Sequence, residues 1–365
     1  MEVAVATIHT AALAHNLERV KNYAPGHPVM VMLKANAYGH GLIESAHALS
    51  AADAFGVARL HEAVTLREAG FQHRIVLLEG FFEAKELPLI ATLQLDVVVH
   101  QQWQLEALEL IDDGELEQAI AVWLKIDSGM HRIGVAPELA DDYLRRLQNC
   151  LAVRADINLM THFACADDLH STMTQNQLAT FESLYPSFSE HTFGGEVSLA
   201  NSAAIIAHSA THQGWLRPGI MLYGASPMQH GQAQDHQLQA AMTLNSKVIA
   251  VRGLEAGEPV GYGARWRSAT PTRIAVVAMG YGDGYPRHAE DGTPVIINGQ
   301  RFPLAGRVSM DMLTVDIGDS DVSVGDVVEL WGQQLSADEV ARCAGTIAYE
   351  LFCGMTRRVK FRYCW

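Results

Sequence analysis

The sequence predicts an α/β protein with two regions: an amino-terminal (β/α)₈ barrel, of the TIM type, and a carboxy-terminal, mainly β domain. Between residues 28 and 224, short apolar runs alternate with amphipathic segments, the rhythm of repeated β/α units. From residue 241 onward, short strand-like runs are separated by Gly, Pro and Asp turns, as in small β domains. The polar segment 228–239 separates the two patterns. We therefore assign residues 1–235 to the barrel domain and 236–365 to the β-rich domain.

Eight apolar runs are interpreted as the strands of the barrel. Their number matches the fold, and the stretch LHEAVTLREAG between two of them has helical apolar spacing. In chain order they are PVMVML at 28, AFGVA at 54, RIVLLEG at 74, LDVVVH at 95, AIAVWLKID at 119, INLMTHF at 157, EVSLAN at 196 and GIMLYG at 219.

The β-rich region is predicted from five further runs and one short helix. Ser336 is the expected N-cap of that helix, SADEVARCAG. The runs are NSKVIAVRGL, TRIAVVAMG, TPVIINGQRFPLAG, DMLTVDIG and DVVELWG.

Composition limits the classes of partner. The chain has 365 residues, of which 49% are hydrophobic and 18% are charged, so it can bury a large core. Its formal charge of −15, from 41 acidic and 26 basic residues, repels phosphate backbones and anionic lipid. We expect neither nucleic acid nor a membrane as a partner.

Cysteine usage and the amino terminus indicate a cellular compartment. The five cysteines are widely spaced and odd in number, which favours reduced thiols over a disulfide framework. The first twenty residues lack a basic segment followed by a long apolar core, and no run approaches membrane-spanning length. The sequence therefore predicts a cytoplasmic protein.

Lys34 is the first candidate for chemistry. It directly follows the apolar run 28–33, and active sites of such barrels form where the strands end. A lysine beginning a surface loop is the ordinary structural alternative. A partly desolvated lysine at this place would lose proton affinity and become an amine nucleophile or a base.

Other polar side chains follow later runs in the same way. Each has a structural alternative: a hydrogen-bonded barrel histidine, an N-cap, or an arginine paired with an acceptor. Their joint occurrence is what indicates a site. They are Lys125 and Arg132 after the fifth run, His162 after the sixth, Asn201 and Ser202 after the seventh, and Arg217 at the eighth.

A set of motifs, ordered along residues 31–313, resembles the alanine racemase family. The motifs are LKANAYGHG, LKIDSGMHRIG, THFA, NSAA, RPGIMLYG, VGYGARW, GYGDGYPRH and VSMDM. The segments LEGFF, YGASP and YELFCG resemble the catabolic branch most closely. The resemblance implies an isomerase that interconverts L-alanine and D-alanine with pyridoxal 5′-phosphate, as a homodimer, for peptidoglycan synthesis or for alanine catabolism.

The resemblance also implies a cofactor site. Lys34 matches the lysine that holds the cofactor as a Schiff base and later acts as a base. Arg217 matches the arginine facing the pyridine nitrogen; because a guanidinium does not give up its proton, the ring stays a weak electron sink and reprotonation at Cα is favoured. His162 matches the residue behind Arg217. Further cofactor contacts are implied for Tyr38, Asn201, Ser202, Gly219 and Ile220.

Racemisation needs a proton removed on one face and returned on the other, and two bases achieve this most simply. Tyr262 matches the second base, contributed in this family by the partner subunit. A phenol is a weak base at neutral pH, so cationic neighbours such as Arg132 are needed to stabilise its phenolate. The resemblance further implies Arg132, Met310 and Asp311 as substrate contacts, Tyr281 as an entry-channel residue, and Lys125 as a lysine open to carbamylation.

One departure and three alternatives accompany this interpretation. Thr356 and Arg357 stand where we expect a phosphate-binding tyrosine in some relatives, so that contact is not transferred. A broad-specificity amino-acid racemase would share the same two bases. A non-catalytic carrier of pyridoxal phosphate would lack the β-rich domain, and decarboxylases on a related barrel resemble the chain much less.

Overall fold

The computed structural model describes residues 3–112, 114–185 and 194–365. The strands are β1 Val5–His9, β2 Met30–Met32, β3 Ala54–Val57, β4 Arg74–Leu77, β5 Leu95–Val99, β6 Val122–Lys125, β7 Asn158–Met160, β8 Val197–Ser198, β9 Met242–Leu254, β10 Pro259–Val260, β11 Trp266–Arg267, β12 Thr272–Val277, β13 Pro294–Ile297, β14 Gln300–Pro303, β15 Leu313–Asp316, β16 Val327–Trp331 and β17 Lys360–Cys364. The helical segments are α1 Thr10–Tyr23, α2 Lys34–Tyr38, α3 Leu42–Ala48, α4 Leu60–Glu68, α5 Leu87–Thr92, α6 Gln102–Glu109, α7 Ala140–Gln148, α8 Met173–Glu182, α9 Ser202–Ala207, α10 Ala337–Cys343 and α11 Ala348–Cys353.

Seven parallel strands form the barrel wall in the order β2-β3-β4-β5-β6-β7-β8. Every residue of β2, β3 and β5 is buried, as expected of parallel strands that are covered on both faces. Each of the first seven predicted runs contains one of these strands, so the predicted fold class and seven of its eight barrel strands are confirmed.

The eighth predicted strand was placed wrongly. Ile220–Tyr223, in the run GIMLYG, forms a buried 3₁₀ turn, and residues 215–218 close the barrel instead. Met30 N–H donates to Leu216 O at 2.9 Å, and Arg217 N–H donates to Ala200 O at 2.9 Å. A continuous apolar run signals burial but does not distinguish a strand from a buried helical turn.

A second sheet forms the β-rich domain and includes the amino terminus. Its strand order is β14-β13-β16-β9-β1-β17, with β12 pairing to β9 and β15. Strand β1 runs parallel to β17 and antiparallel to β9. Its burial alternates along the strand, unlike the fully buried barrel strands, because only one face packs on a core. Residues 5–9 therefore lie outside the barrel to which we had assigned them, while the boundary at residue 235 stays a prediction.

Two local predictions can be checked here. The Ser336 side chain caps α10 by accepting a hydrogen bond from Asp338 N–H at 3.2 Å, as expected. Within the described ranges, no helix is both long and apolar enough to cross a bilayer.

Candidate active site

Lys34 stands at the carboxyl end of β2, where the backbone adopts an unusual conformation. The four residues from Ala35 to Tyr38 all have φ between 52° and 55°, which makes a turn of left-handed helix. L-residues adopt this conformation at a cost of roughly 1–2 kcal/mol each, so surrounding contacts must hold it. Asn36 Oδ1 accepts a hydrogen bond from Leu42 N–H at 2.9 Å, and His40 Nδ1 donates to Tyr38 O at 2.9 Å.

A cleft of about 1060 Å³ opens at this end of the barrel. Five cationic side chains line it among the described residues: Lys34, Lys125, Arg132, Arg217 and Arg342. Burial, followed by the charge of Arg132, lowers the pKa of Lys34. Burial, followed by the charges of Arg217 and Arg132, lowers the pKa of Lys125 to about 7. The pKa of Lys34 is thus lowered in the direction expected of a desolvated lysine at a strand end.

Arg217 is held rigidly in the floor of the cleft. Its guanidinium donates to Ser198 Oγ at 2.6 Å, to Thr161 O at 2.5 Å and to Leu199 O at 3.1 Å. Burial lowers its pKa to about 10, so it remains charged at neutral pH. His162 Nδ1 lies 3.4 Å from Arg217 Nη2. Burial and then the charge of Arg217 push the pKa of His162 well below its usual value, so the imidazole is neutral.

Hydroxyl and backbone groups gather beside this floor. Ser202 Oγ accepts a hydrogen bond from Gly219 N–H at 2.8 Å. A Cβ added at Gly219 would lie 2.5 Å from the Tyr38 hydroxyl oxygen, so only glycine fits there. Burial raises the pKa of Tyr38, which keeps this hydroxyl protonated and able to donate. Asn201 lines the cleft and also caps α9, its Oδ1 accepting from Ala204 N–H at 3.0 Å.

Ile220 differs from its neighbours in this group. It is fully buried and opens the 3₁₀ turn that follows Gly219. Its side chain therefore packs in the core, and it is not part of the described cleft wall. Only its main chain remains as a candidate contact.

The structure does not bring the β-domain candidates into the cleft of their own chain. Among the described residues of the cleft wall, none is Tyr262, Tyr281, Met310 or Asp311. The side chains of Tyr262 and Met310 are 68% and 53% exposed. Tyr262 projects from a tight turn in which Gly261 and Gly263 have φ of 70° and 75°. These residues thus present a separate surface.

Tyr349 is a cleft residue that sequence reasoning missed. Its ring centroid lies 5.8 Å from that of Tyr38, and Tyr38 in turn stacks on Tyr223 at 4.8 Å. The sequence analysis places the phosphate-binding tyrosine of some relatives at position 356 or 357, whereas Tyr349 lies in the segment YELFCG, which was cited only for the branch. Arg357 is exposed, and Thr356 Oγ1 donates to Gly282 O at 2.9 Å.

The charge balance of the cleft indicates the kind of ligand that fits. The acids in its described wall are Glu79, Asp167 and Asp338. The first pairs with Arg59, and the last accepts hydrogen bonds from the backbone of Ser226 and Ala233. Among the described residues no carboxylate forms a salt bridge with Lys34, Lys125, Arg132 or Arg217, so anionic ligand groups such as a phosphate and a carboxylate would balance their charge.

A barrel with an appended β domain and a cation-lined cleft around a lysine of lowered pKa fits an enzyme that uses an amine as nucleophile or base. Comparison with known families is specific. Residues 8–227 match the model of the alanine racemase N-terminal domain, and residues 241–363 match that of the C-terminal domain.

Relatives match the chain over its full length. Alanine racemases of Aliivibrio salmonicida and Pectobacterium atrosepticum are 48% and 50% identical over 364 residues, covering 100% of this chain and 99% of each relative. The crystal structure of the biosynthetic alanine racemase from Pseudomonas aeruginosa superposes with a TM-score of 0.95 at 46% identity, covering 100% of both chains. The alanine racemase structure from Acinetobacter baumannii gives a TM-score of 0.94 at 38% identity, with the same coverage.

The chain belongs to the alanine racemase family. The predicted family, fold class and enzyme class, an isomerase acting on amino acids, are thereby confirmed. Affiliation with the catabolic branch stays a prediction.

Proposed function

We propose that this protein interconverts L-alanine and D-alanine with pyridoxal 5′-phosphate as cofactor. The observation that carries the proposal is Lys34, a lysine of lowered pKa at the end of the first barrel strand, in a cleft that four further cationic side chains line. The lowered pKa makes the neutral amine, which is the form that acts as nucleophile or base, more available than in an ordinary lysine. The family relationship supports the same reaction.

The described residues fit the cofactor. The surplus of positive charge suits a phosphate dianion, and the small residue Gly219 leaves space beside the hydroxyls of Tyr38 and Ser202. Lys34 would attach to the aldehyde carbon of the cofactor. When bound, the cofactor supplies an electron-withdrawing ring that acidifies the Cα–H bond of the substrate. Further contacts are assigned to His162, Asn201, Arg217 and the main chain of Ile220.

Arg217 limits the reaction to proton movement. Its guanidinium is cationic, is fixed by three hydrogen bonds and has no lone pair to accept a proton. Facing the ring nitrogen of a bound cofactor, it would donate a hydrogen bond without protonating the ring. Arg217 would thereby keep the ring a weak electron sink, which favours return of a proton to Cα over other chemistry.

Two bases, one on each side of Cα, complete the reaction. Lys34 Nζ takes the proton of the D enantiomer, and the Tyr262 hydroxyl oxygen takes that of the L enantiomer. Arg132, which lines the cleft, holds the substrate carboxylate. Met310 and Asp311 bound the substrate from the β domain, and Tyr281 lies on the entry path.

This assignment requires a second copy of the chain. Tyr262 and Met310 are exposed and stand apart from the cleft wall of their own chain. A homodimer in which each β domain covers the partner's cleft would place Tyr262 opposite Lys34. We therefore propose a homodimer with two shared sites.

Lys125 is assigned a supporting role as a carbamate. Its pKa of about 7 leaves a large neutral fraction, and a neutral amine attacks CO₂ through nitrogen with release of one proton. The product is an anion, which relieves the repulsion among the cations of the cleft. It would orient Arg132 by a charge-assisted contact.

The proposal is tested by incubating cofactor-saturated protein with L-alanine and, separately, with D-alanine in heavy water. Chiral chromatography is expected to show an equal mixture of L-alanine and D-alanine from either starting enantiomer, with deuterium at Cα. Lys34→Ala should abolish both, whereas Lys85→Ala, at an exposed lysine, should not. Conversion of larger amino acids at comparable rates would favour the broad-specificity racemase. Cofactor binding without conversion of any amino acid would overturn the proposal and favour a carrier.

A further inference from the structure

Two segments of the β domain carry the residues assigned to the partner's site, and they are tightly joined. Tyr281 N–H donates to Ser309 O at 3.0 Å, and Gly282 N–H donates to Met310 O at 2.8 Å. A Cβ added at Gly280 would lie only 2.2 Å from Met310 O. We call residues 280–284 and 309–312 the paired loops.

Arg358 bridges the paired loops from the carboxy-terminal segment. Its Nε lies 3.0 Å from Asp283 Oδ1, and its Nη1 lies 2.8 Å from Asp311 Oδ1. The guanidinium passes over Gly282, where an added Cβ would lie 2.5 Å from Nη1. One planar cation therefore binds one carboxylate of each loop.

The two carboxylates have different surroundings. Asp283 is nearly fully buried, and its other oxygen accepts a hydrogen bond from Gly280 N–H at 2.9 Å. The side chain of Asp311 is 54% exposed and has Arg358 as its cationic partner. The Asp311 carboxylate is thus engaged by Arg358, so its assigned role near the substrate depends on this pair.

We propose that Arg358 is a positioning residue that holds the paired loops in register and keeps the Asp311 carboxylate turned away from the substrate carboxylate. The inference rests on the proposed function, in which Met310 bounds the substrate and Tyr281 lies on the entry path. Without Arg358, Asp283 keeps a buried charge that has lost its ion pair, and Asp311 is free to swing. A free carboxylate there repels the carboxylate of alanine, and so weakens substrate binding more than it slows the proton transfers.

Steady-state kinetics on the cofactor-saturated enzyme test this inference. Arg358→Met keeps the length of the side chain and removes its charge; we expect KM for both enantiomers to rise about tenfold, with a smaller change in kcat. Arg358→Lys keeps the positive charge but lacks the planar guanidinium that binds both carboxylates. Its KM should therefore lie between those of the wild type and Arg358→Met. Arg357→Met is the matched control, because the adjacent Arg357 is exposed and forms no ion pair with the described residues.

Adding Asp311→Asn to Arg358→Met separates repulsion from loss of fold. Because the amide is neutral, KM of the double variant should be lower than that of Arg358→Met and closer to that of the wild type. A double variant with the same or a higher KM, at an unchanged unfolding temperature, would overturn the repulsion argument. If Arg358→Met does not fold, the same comparison is made on Arg358→Lys.

Hydrogen–deuterium exchange gives a readout that does not need turnover. In Arg358→Met, the amides of the paired loops should exchange faster, while those of the barrel strands and of the Arg357→Met protein stay at the wild-type rate. Unchanged exchange in the paired loops would overturn the inference. Failure of wild-type protein to racemise alanine would instead overturn the proposed function, which is a different observation.

Discussion

The positive charge of Lys125 is unfavourable in the folded protein. The side chain is 7% exposed and shares the cleft with Lys34, Arg132 and Arg217. Burial and these like charges all act in the same direction on its pKa, which falls to about 7. Because the folded state disfavours protonation of Lys125, this lysine lowers the free energy of unfolding at every pH at which it is protonated in the unfolded chain.

Lys125→Met should therefore stabilise the protein, in a way that depends on pH. Between the unfolded pKa of 10.5 and the folded value of about 7, the unfolded chain binds more protons, so the wild type loses stability as pH falls through this window. Below pH 7 both states are protonated and the penalty is complete. We expect the variant to gain about 1–3 kcal/mol at pH 6.5 and almost nothing near pH 10.5.

Thermal unfolding in CO₂-free buffer at the two pH values measures this difference. Lys85→Met is the control, because this lysine is exposed and its removal should leave the pH dependence unchanged. An equal gain at both pH values would mean that the effect comes from packing rather than from the charge of Lys125. Substrate binding should weaken in Lys125→Met, because the support for Arg132 is lost.

The left-handed turn after β2 is the element on which the position of Lys34 depends. Ala35 has φ of 53° but is exposed, so its side chain can be changed without filling a core. A β-branched side chain tolerates positive φ poorly, whereas glycine adopts it freely. Ala35→Val should lower the free energy of unfolding by about 1–2 kcal/mol more than the same change in an ordinary helix, and should reduce activity by displacing Lys34.

Ala14→Val in α1 is the matched control, since Ala14 is exposed in a right-handed helix and loses only helix propensity, about 0.6 kcal/mol. Ala35→Gly should keep both stability and activity near the wild-type level. Chemical denaturation and racemisation assays of the three variants measure their losses of stability and activity, which should be largest for Ala35→Val. Equal losses for Ala35→Val and Ala14→Val would show that the turn relaxes without strain.

Sequence predicted the barrel well where each strand ended in a turn signal or a polar residue, as at Lys34, Lys125 and His162. It failed at the eighth strand because Ile220–Tyr223 is apolar for a different reason: these residues form a buried 3₁₀ turn. It missed Tyr349 because a tyrosine on a short helix gives no local sign that it stacks on Tyr38. Such long-range contacts depend on how the elements pack.

The two domains carry different catalytic candidates, Lys34 in the barrel and Tyr262 in the β domain. Strand β1 belongs to the β sheet, and the chain continues from it through α1 into the barrel. The chain therefore passes between the two domains twice, once before and once after the barrel strands. Yet the exposed Tyr262 does not contribute to the described wall of the cleft that holds Lys34. In the proposed reaction, the two bases on either side of Cα would therefore come from two chains.

Mixing inactive subunits tests this requirement. Lys34→Ala and Tyr262→Ala proteins should each be inactive, but after exchange of subunits a hybrid dimer contains one site with both residues intact. With random exchange of equal amounts, about a quarter of all sites should be intact, and activity should recover in that proportion. Mixing Lys34→Ala with the double variant Lys34→Ala/Tyr262→Ala should restore nothing, because neither subunit supplies the lysine. If subunit exchange is demonstrated by mass spectrometry and the first mixture stays inactive, Tyr262 does not act across the interface.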